Sequence, residues 1–310
     1  MYTNFVEMLE VSPRDGLQNE KVQVSTSDKL HLIERAIAAG SRRIEVTSFV
    51  NPKAVPQMAD ADEVCAGLPQ RRDVTYIGLV MNGRGAERAI ATGRIDQLGA
   101  VAVATDTFAM RNQGQTSDGS IEASCDIVQR AKDAGLTGQA TIAASFGCPF
   151  EGEVSEDRVV HMAKEIAKAG PVEIALADTI GVGNPAHVAR LVAKVKEAIG
   201  PLPVRVHFHN TRGTGLANVW AAVAAGASTV DASIGGLGGC PFAPGAAGNV
   251  ATEDVHYMLD RAGIDTELSL EKLIETNHWL AGVMDKTLPA MVGKAGGFPK
   301  PADTTERTAA

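Results

Sequence analysis

Two histidines separated by one residue, His207 and His209, end an apolar segment that is predicted to be a strand. Side chains two positions apart in a strand point to the same face, so the two imidazoles should lie together. Neutral imidazole is a common ligand of divalent metals. The pair therefore predicts a metal site, although two polar residues at a strand end would also fit the pattern.

A carboxylate and an amide could complete this ligand set. Asp15 follows the first predicted strand, and Asn249 follows a glycine-rich segment. Each has a plainer interpretation, because Pro-x-Asp-Gly is typical of a turn and asparagine is a good helix N-cap. Together with His207 and His209 they would form a mixed oxygen and nitrogen set. Such a set suits Mg²⁺ or Mn²⁺ and does not exclude Zn²⁺ or Co²⁺.

Three further charged residues lie near the ends of predicted strands. Arg14 precedes Asp15 and could stabilise an enolate-like oxyanion. Glu45 lies near the end of the second strand and, if buried, would need a partner such as Arg14. Asp178 ends the sixth strand, where it could orient a substrate hydroxyl or a histidine, or cap the helix that follows.

Residues 234–245 read IGGLGGCPFAPG and place Cys240 within a glycine-rich frame. Glycine allows backbone conformations that are closed to other residues. The segment therefore predicts a moving loop that delivers one reactive thiol. A flexible linker with an incidental cysteine is the alternative. Cys148 has a less flexible frame and is interpreted as a packing or loop residue.

Short apolar strands alternate with amphipathic helices along most of the chain. The eight predicted strands span residues 6–10, 43–47, 74–80, 97–103, 138–144, 173–177, 204–209 and 229–233. The predicted helices between them include residues 26–39, 121–134, 156–169, 185–199 and 216–225. Eight strand-then-helix units predict an α/β protein with a (β/α)8 TIM barrel, and a doubly wound open sheet is the alternative.

The barrel also explains where the polar residues fall, because barrel enzymes build their sites at the carboxyl ends of the strands. Only the eighth strand separates the first from the seventh in a closed barrel, so Asp15 should approach the histidines. Residues 268–284 predict an additional C-terminal helix. We predict a single domain over residues 1–292, which includes this helical extension, and a loose tail over residues 293–310.

The composition excludes several classes of protein. The 310 residues are 45% hydrophobic and carry a net charge of −8 without a long basic run, which argues against a nucleic-acid partner. No apolar run approaches the roughly 18 residues of a membrane span, and the N-terminus lacks the basic segment of a secretory signal. The four cysteines are far apart, without a Cys-x-x-Cys, which predicts a reduced, cytoplasmic protein.

Several segments resemble those of the hydroxymethylglutaryl-CoA lyase family. The members of this family are metal-dependent barrel lyases related to Claisen-type condensing synthases. The matching segments are SPRDGLQNEK (12–21), TSFVNPKAVPQMAD (47–60), FGCPFEG (146–152), DTIGVG (178–183), HFHNTRGTGLAN (207–218) and GGLGGCPFAPGAAGNVATED (235–254). They cover nearly all of the predicted barrel. The segment around Cys240 is specific for the lyase branch, and the long C-terminal extension usual in the synthases is absent from this sequence.

The resemblance implies retro-Claisen cleavage of a 3-hydroxyacyl-CoA that carries a second carboxylate, above all hydroxymethylglutaryl-CoA, to acetyl-CoA and a keto acid. Arg14 and the metal would stabilise negative charge, and His207, helped by Asp178, would take the hydroxyl proton. Cys240 would protonate the enolate carbon, and Glu45 would position Arg14. Further substrate contacts are predicted for Gln18, Ser48, Arg212 and Lys21. The same resemblance implies Mg²⁺ or Mn²⁺, an acyl-CoA partner, a homodimer and a place in leucine degradation.

Three positions depart from the family pattern. Asn210 and Arg212 stand where the family usually has Asp and Tyr, and Ala175 replaces a serine that helps to hold the acyl carboxylate. The catalytic set is intact, whereas the acyl-recognition set is not. We therefore hypothesise that Arg212 replaces the lost carboxylate contacts and accepts a different acid, such as a citramalyl-type CoA ester.

Two other functions use the same frame. An aldolase for a 4-hydroxy-2-oxo acid and a condensing synthase both use such a metal site, but neither explains Cys240. A barrel that has lost catalysis and binds a metabolite or a partner is the other alternative. The complete set of catalytic and ligand residues argues against it.

Overall fold

Eight parallel strands close into a barrel, with β1 paired to both β2 and β8. This computed structural model describes residues 3–239 and 248–299. The strands are β1 Glu7–Glu10, β2 Arg43–Ser48, β3 Thr75–Leu79, β4 Gln97–Val103, β5 Thr137–Ala143, β6 Ile174–Asp178, β7 Val204–Phe208 and β8 Thr229–Ala232. The prediction of a (β/α)8 barrel is confirmed, and the open sheet is excluded.

The strands form where short apolar runs are buried on both faces. Every residue of β6, β7 and β8 is buried, as expected for a parallel sheet covered by helices outside and side chains inside. β7 ends at Phe208, one residue earlier than predicted. His209 therefore lies just beyond the strand, where it forms an isolated bridge with Asn249.

Helices surround the barrel. They are α1 Thr26–Ala38, α2 Ala61–Gly67, α3 Gly83–Ala91, α4 Asp106–Gln113, α5 Ser117–Asp133, α6 Glu156–Lys168, α7 Pro185–Ile199, α8 Gly215–Ala224, α9 Thr252–Arg261, α10 Leu270–Val283 and α11 Val292–Ala295. α5 begins four residues before its predicted start, because the side chain of Thr116 caps it by accepting the N–H of Gly119. α10 confirms the predicted C-terminal helix.

A short π-helical turn, Ser12–Gly16, follows β1 and carries two of the predicted site residues. The turn closes tightly because the N–H groups of Arg14 and Gly16 both donate to the carbonyl of Val11. Gly16 packs against Ser233, and a Cβ at Gly16 would lie 2.7 Å from the Ser233 Oγ. A side chain at residue 16 would therefore displace the Ser233 hydroxyl at the end of β8.

The predicted boundary between the domain and a loose tail stays a prediction: α11 spans Val292–Ala295, across that boundary, and residues 300–310 lie outside the described ranges. Within the described ranges, no helix has both the length and the apolar character needed to cross a membrane.

Candidate active site

Three side chains with metal-binding atoms meet at the carboxyl end of the barrel. Asp15 comes from the π-helical turn, His207 from β7, and His209 from the residue after β7. The Asp15 Oδ2 lies 3.9 Å from the His207 Nε2 and 4.0 Å from the His209 Nε2. All three ligand atoms lie within 4.8 Å of one another. The structure thus brings together three of the four residues predicted to share a metal at a spacing that one ion could bridge.

The fourth predicted ligand, Asn249, lies beside these three residues. Its Nδ2 donates to the Asp15 Oδ2 at 2.8 Å and to the carbonyl of Leu237 at 3.0 Å. Among the described residues, the buried Asn249 Oδ1 and the buried His209 Nδ1 have no hydrogen-bond partner. A buried amide oxygen that lacks a partner, next to a carboxylate and two imidazoles, fits a divalent cation.

The plainer interpretation of Asn249 as a helix cap is excluded. α9 begins at Thr252, and its N-cap residue is Ala251. Asn249 lies two residues before that cap, and its side chain turns to Asp15 instead. The amide is therefore part of the site rather than of the helix terminus.

The local environment favours the metal-binding forms of Asp15 and His209, whereas the carboxylates of Asp231 and Asp15 outweigh burial and raise the pKa of His207. Burial alone would raise the pKa of Asp15, but Arg14 and the two imidazoles outweigh burial and hold that pKa below its usual range. Burial and the neighbouring His207 lower the pKa of His209 to about 4. Near neutral pH, Asp15 is therefore ionised and His209 is neutral, and these are the forms that bind metal ions.

Arg14 bridges two carboxylates at the edge of this site. Its Nε and Nη2 donate to the Glu45 Oε2 at 2.8 and 2.6 Å, and its Nη1 donates to the Asp15 Oδ1 at 2.6 Å. Charge-assisted bonds of this kind hold a guanidinium in one orientation. Glu45 is thus placed to position Arg14 as expected, and the catalytic roles of both residues stay predictions.

Asp178 ends β6, but its carboxylate serves the turn that follows. Its Oδ1 accepts the N–H of Val182 and its Oδ2 accepts the N–H of Gly183, both at 2.9 Å. Burial outweighs these hydrogen bonds and raises the pKa of Asp178. Asp178 does not cap the helix that follows, because Asn184 caps α7, and its predicted role toward a substrate or a histidine stays a prediction.

A cavity of about 860 Å³ opens above the candidate ligands. Gln18 lines it, and the Ser48 Oγ donates to the Gln18 Oε1 at 3.3 Å. Gln18 is therefore placed to contact a substrate, with Ser48 holding its side chain. Polar residues of α3 and α4 line the outer part of the cavity: Arg84, Arg88, Asn112 and Gln113.

The structure does not bring Lys21 or Arg212 to the described wall of this cavity. Both side chains are exposed. The Arg212 Nη1 donates to the carbonyls of Ile180 and Gly181, both at 2.9 Å. The hypothesis that Arg212 replaces the lost carboxylate contacts finds no support in this geometry, because its guanidinium binds the backbone of the loop after β6.

The other two departures from the family pattern are structurally accommodated. Ala175 is fully buried in β6, between Thr141 of β5 and Arg205 of β7. The Asn210 Oδ1 accepts the N–H of Gly215 at 3.0 Å, at the start of α8. Asn210 therefore needs no negative charge for the contact that it makes.

Cys240 lies outside the described residues, and its role stays a prediction. Gly239, which precedes it in the sequence, lines the cavity and accepts a hydrogen bond from the Asn19 Nδ2 at 2.8 Å. Gly238 has a φ of 115°, and a Cβ there would overlap the Asn249 Nδ2. Glycine is thus required where this segment passes the candidate ligands.

The sequence analysis did not predict two buried charged residues of the cavity wall, Arg205 and Asp231. Arg205 lies two residues before His207 on β7, and Asp231 stands in register with His207 on β8. The available signal was a charged residue inside a short apolar strand. The same two-residue spacing that linked the histidines would have linked Arg205 to them.

A closed parallel barrel with a carboxylate and two imidazoles at the carboxyl ends of its strands defines the class of (β/α)8 proteins with a candidate divalent-metal site. The HMGL-like family model matches residues 5–280. The chain belongs to the HMGL-like family.

Three similar proteins are covered over nearly their whole length. The hydroxymethylglutaryl-CoA lyase of Bacillus subtilis is 39% identical over 289 residues, which are 93% of this chain and 96% of the relative. The (R)-citramalyl-CoA lyase of Chloroflexus aurantiacus is 42% identical over 302 residues, with 94% and 95% covered. A solved HMG-CoA lyase from Acinetobacter baumannii, in complex with coenzyme A and 3-methylmalate, superimposes with a TM-score of 0.92 at 40% identity, with 97% and 98% covered.

Proposed function

We propose that this protein is a metal-dependent lyase that cleaves 3-hydroxy-3-methylglutaryl-CoA to acetyl-CoA and acetoacetate. The observation that carries the proposal is the convergence of Asp15, His207 and His209 on one point beside the Arg14 guanidinium. Relatives that are 39–40% identical over more than nine-tenths of this chain are named hydroxymethylglutaryl-CoA lyases, which supports it.

The residues of the site divide the chemistry between them. A divalent ion held by Asp15, His207, His209 and the Asn249 Oδ1 would act as a Lewis acid toward the oxygens of the substrate. Arg14, fixed by Glu45, is placed to stabilise the negative charge that develops as the carbon–carbon bond breaks. Cys240 is the predicted proton donor to the enolate carbon that results.

The resemblance implied two roles for His207, as a metal ligand and as the base that takes the hydroxyl proton, but only one of its ring nitrogens faces the site. Its Nδ1 lies 3.1 Å from the Asp231 Oδ2, and its Nε2 lies 3.9 Å from the Asp15 Oδ2. We assign Nε2 to the ion, because it converges with the His209 Nε2 on the same carboxylate oxygen. We therefore propose that Asp178, whose pKa is raised by burial, accepts the C3 hydroxyl proton.

The cavity suits an acyl-CoA. Its volume of about 860 Å³ lies in the range of ligand pockets. Arg84, which is exposed, and Arg88, which is half-buried, line it together with two amides of α4. We propose that Arg84 contacts a CoA phosphate, since guanidinium groups bind phosphate well, whereas the Nε and Nη2 of Arg88 already donate to Asp62.

Acetyl-CoA release tests the proposal. Protein stripped with EDTA is assayed with hydroxymethylglutaryl-CoA before and after Mg²⁺ or Mn²⁺ is added, and Arg14→Met serves as the matched inactive variant. Metal-dependent release that Arg14→Met reduces at least about 100-fold is expected. Equal release with EDTA present, or no release from any CoA ester, would contradict the proposal.

A citramalyl-CoA lyase is the second candidate. The citramalyl-CoA lyase relative has 42% identity to this chain, against 39–40% for the hydroxymethylglutaryl-CoA lyases, and Ala175 replaces a serine of the family pattern. The same assay with both esters in parallel decides. A higher kcat/KM for citramalyl-CoA would keep the chemistry and change the substrate.

Four finer features belong to the same proposal. We propose Mg²⁺ or Mn²⁺ as the native ion, a homodimer, a cytoplasmic location and a place in leucine degradation. The oxygen and nitrogen donor set supports the choice of ion. Metal analysis of the purified protein and sedimentation velocity would test the ion and the oligomeric state.

A further inference from the structure

The carboxylate of Asp231 supports His207 on the side away from the candidate ligands. The His207 Nδ1 lies 3.1 Å from the Asp231 Oδ2, whereas Nε2 faces Asp15. The two residues stand in register on β7 and β8, and Asp231 is only 3% exposed. The contact therefore joins two buried, neighbouring strands.

Asp231 is in turn held by Arg205. The same Oδ2 accepts a hydrogen bond from the Arg205 Nη1. The Arg205 Nη2 donates to the Thr141 Oγ1 at 2.9 Å, and its Nε lies 2.9 Å from the Glu173 Oε1. Glu173 contacts Arg43 at 2.6 Å. We call Arg43, Glu173, Arg205 and Asp231 the interior ion-pair chain.

Stability alone gives a weak reason for these charges. Barrel interiors are commonly filled by branched apolar side chains, and replacing a buried ion pair by apolar residues is often neutral or stabilising. The last member of the interior ion-pair chain, however, contacts a candidate metal ligand. Metal-binding histidines almost always donate their second ring N–H to an outer partner such as a carboxylate, which orients the ring.

We propose that Asp231 is a positioning residue that fixes the tautomer and the ring orientation of His207, and that Arg205 keeps Asp231 in place. An ionised carboxylate only accepts hydrogen bonds, so the His207 Nδ1 must be the donor. The lone pair of the neutral ring is then on Nε2, which faces Asp15. This inference rests on the proposed metal site.

Mn²⁺ binding to Asp231→Asn tests the inference, with Glu173→Gln as the matched control. Both variants replace one carboxylate beside Arg205 by an amide, but only Asp231 contacts His207. Titration calorimetry or the electron paramagnetic resonance of free Mn²⁺ gives the affinity without reference to turnover. We expect about 10- to 100-fold weaker binding for Asp231→Asn and wild-type affinity for Glu173→Gln.

Equal Mn²⁺ affinity in Asp231→Asn and the wild type would overturn the inference. An equal loss of affinity in Glu173→Gln would also overturn it, because the loss would then follow from the removal of any negative charge beside Arg205. Should Asp231→Asn not fold, the ¹⁵N shifts of the His207 ring in the Mg²⁺-saturated wild type decide instead. A proton on Nδ1 supports the inference, and a proton on Nε2 overturns it. Failure of the wild type to bind Mn²⁺ would overturn the metal site itself and is thus distinguishable.

Discussion

The two ends of the barrel interior treat buried polar groups in opposite ways. At the amino end, Arg43 contacts Glu7 at 2.7 Å and Glu173 at 2.6 Å, and it also donates to two glutamine side chains. At the carboxyl end, Asn249 and His209 each keep a buried polar atom for which the described residues provide no partner. We call the end at Arg43 the saturated end, because Arg43 has partners among the described residues, and the end at Asn249 the incomplete end, because buried polar atoms there have none.

This difference distinguishes polar groups that bind one another within the protein from polar groups that are placed to bind a ligand. An unpaired buried polar atom costs about 1–3 kcal/mol, and native proteins seldom keep one without a reason. A bound cation would supply the missing partner of the Asn249 Oδ1, but not that of the His209 Nδ1, because the His209 Nε2 is the atom that faces Asp15. At the amino end, Arg43 has two carboxylate and two amide partners among the described residues, and none of these contacts involves a candidate metal ligand.

The largest effect is expected from Asp15→Asn, which removes the negative charge at the incomplete end. Mn²⁺ binding should be lost, and kcat should fall about 10³-fold, because the ion loses its anionic ligand and Arg14 loses a partner. Calorimetry and acetyl-CoA release measure the two effects. The same substitution at the exposed Asp118, which pairs with Arg158 on the surface, should change neither. Wild-type Mn²⁺ affinity in Asp15→Asn would contradict the assignment of the incomplete end.

Arg43→Met should act on the saturated end alone. It removes the cation that Glu7 and Glu173 share, while Glu173 keeps Arg205 as a partner, so the free energy of unfolding should fall by about 1–3 kcal/mol. Mn²⁺ affinity at a temperature where the variant is folded should stay at the wild-type value. Urea denaturation gives the stability, and Arg71→Met, which breaks an exposed pair with Asp73, should cost at most about 1 kcal/mol. A loss of Mn²⁺ binding in Arg43→Met would contradict the conclusion that the saturated end does not take part in metal binding.

The buried carboxylate of Glu253 offers a third case, because its partners among the described residues are hydrogen-bond donors without a positive charge. It accepts from the N–H of Gly235 and from the Asn277 Nδ2. Burial raises the pKa of Glu253 from 4.5 to about 7. In the unfolded chain, Glu253 releases its proton near pH 4.5, whereas the folded protein keeps it until about pH 7. The free energy of unfolding should therefore fall by about 3 kcal/mol as the pH rises from 4.5 to 7.

Glu253→Gln should remove this part of the pH dependence. Urea denaturation between about pH 5 and pH 8 measures it, and Glu122→Gln, at an exposed residue, serves as the control. An unchanged slope of stability against pH in Glu253→Gln would show that Glu253 does not hold its proton in the folded state.

The smallest effect is expected from Arg212→Met, because Arg212 belongs to neither end of the interior. Its guanidinium binds two backbone carbonyls outside the cavity. The ratio of kcat/KM for the hydroxymethylglutaryl and citramalyl esters should therefore change by less than about twofold. A tenfold change in that ratio would restore a role for Arg212 in recognising the acyl group.

The barrel and the core of the site were predictable because both depend on local periodicity. Alternating strands and helices indicated the closed sheet, and the two-residue spacing of His207 and His209 indicated their common face. The neighbouring positions of the first and seventh strands in a barrel then brought Asp15 to them. Arg14 and Glu45 followed from the need of a buried carboxylate for a cation.

Other residues were not predictable in this way. Whether Lys21 and Arg212 face the cavity depends on the path of a loop, which no period in the sequence describes. The sequence left the carboxylate of Asp178 to a substrate, a histidine or a helix cap, and only the structure shows its hydrogen bonds to Val182 and Gly183. Arg205 and Asp231 were read as parts of apolar strands, because their partners lie on other strands.

The sequence by itself determined the fold class, the end of the barrel that carries the site and the residue types gathered there, because period and composition act over a few neighbouring residues. Only the tertiary structure decided which atoms meet. It turned Asn249 toward Asp15 instead of α9, gave the Nδ1 of His207 to Asp231, and directed Arg212 to the backbone. Those choices depend on contacts between residues far apart in the chain, and their distances are set only when the barrel closes.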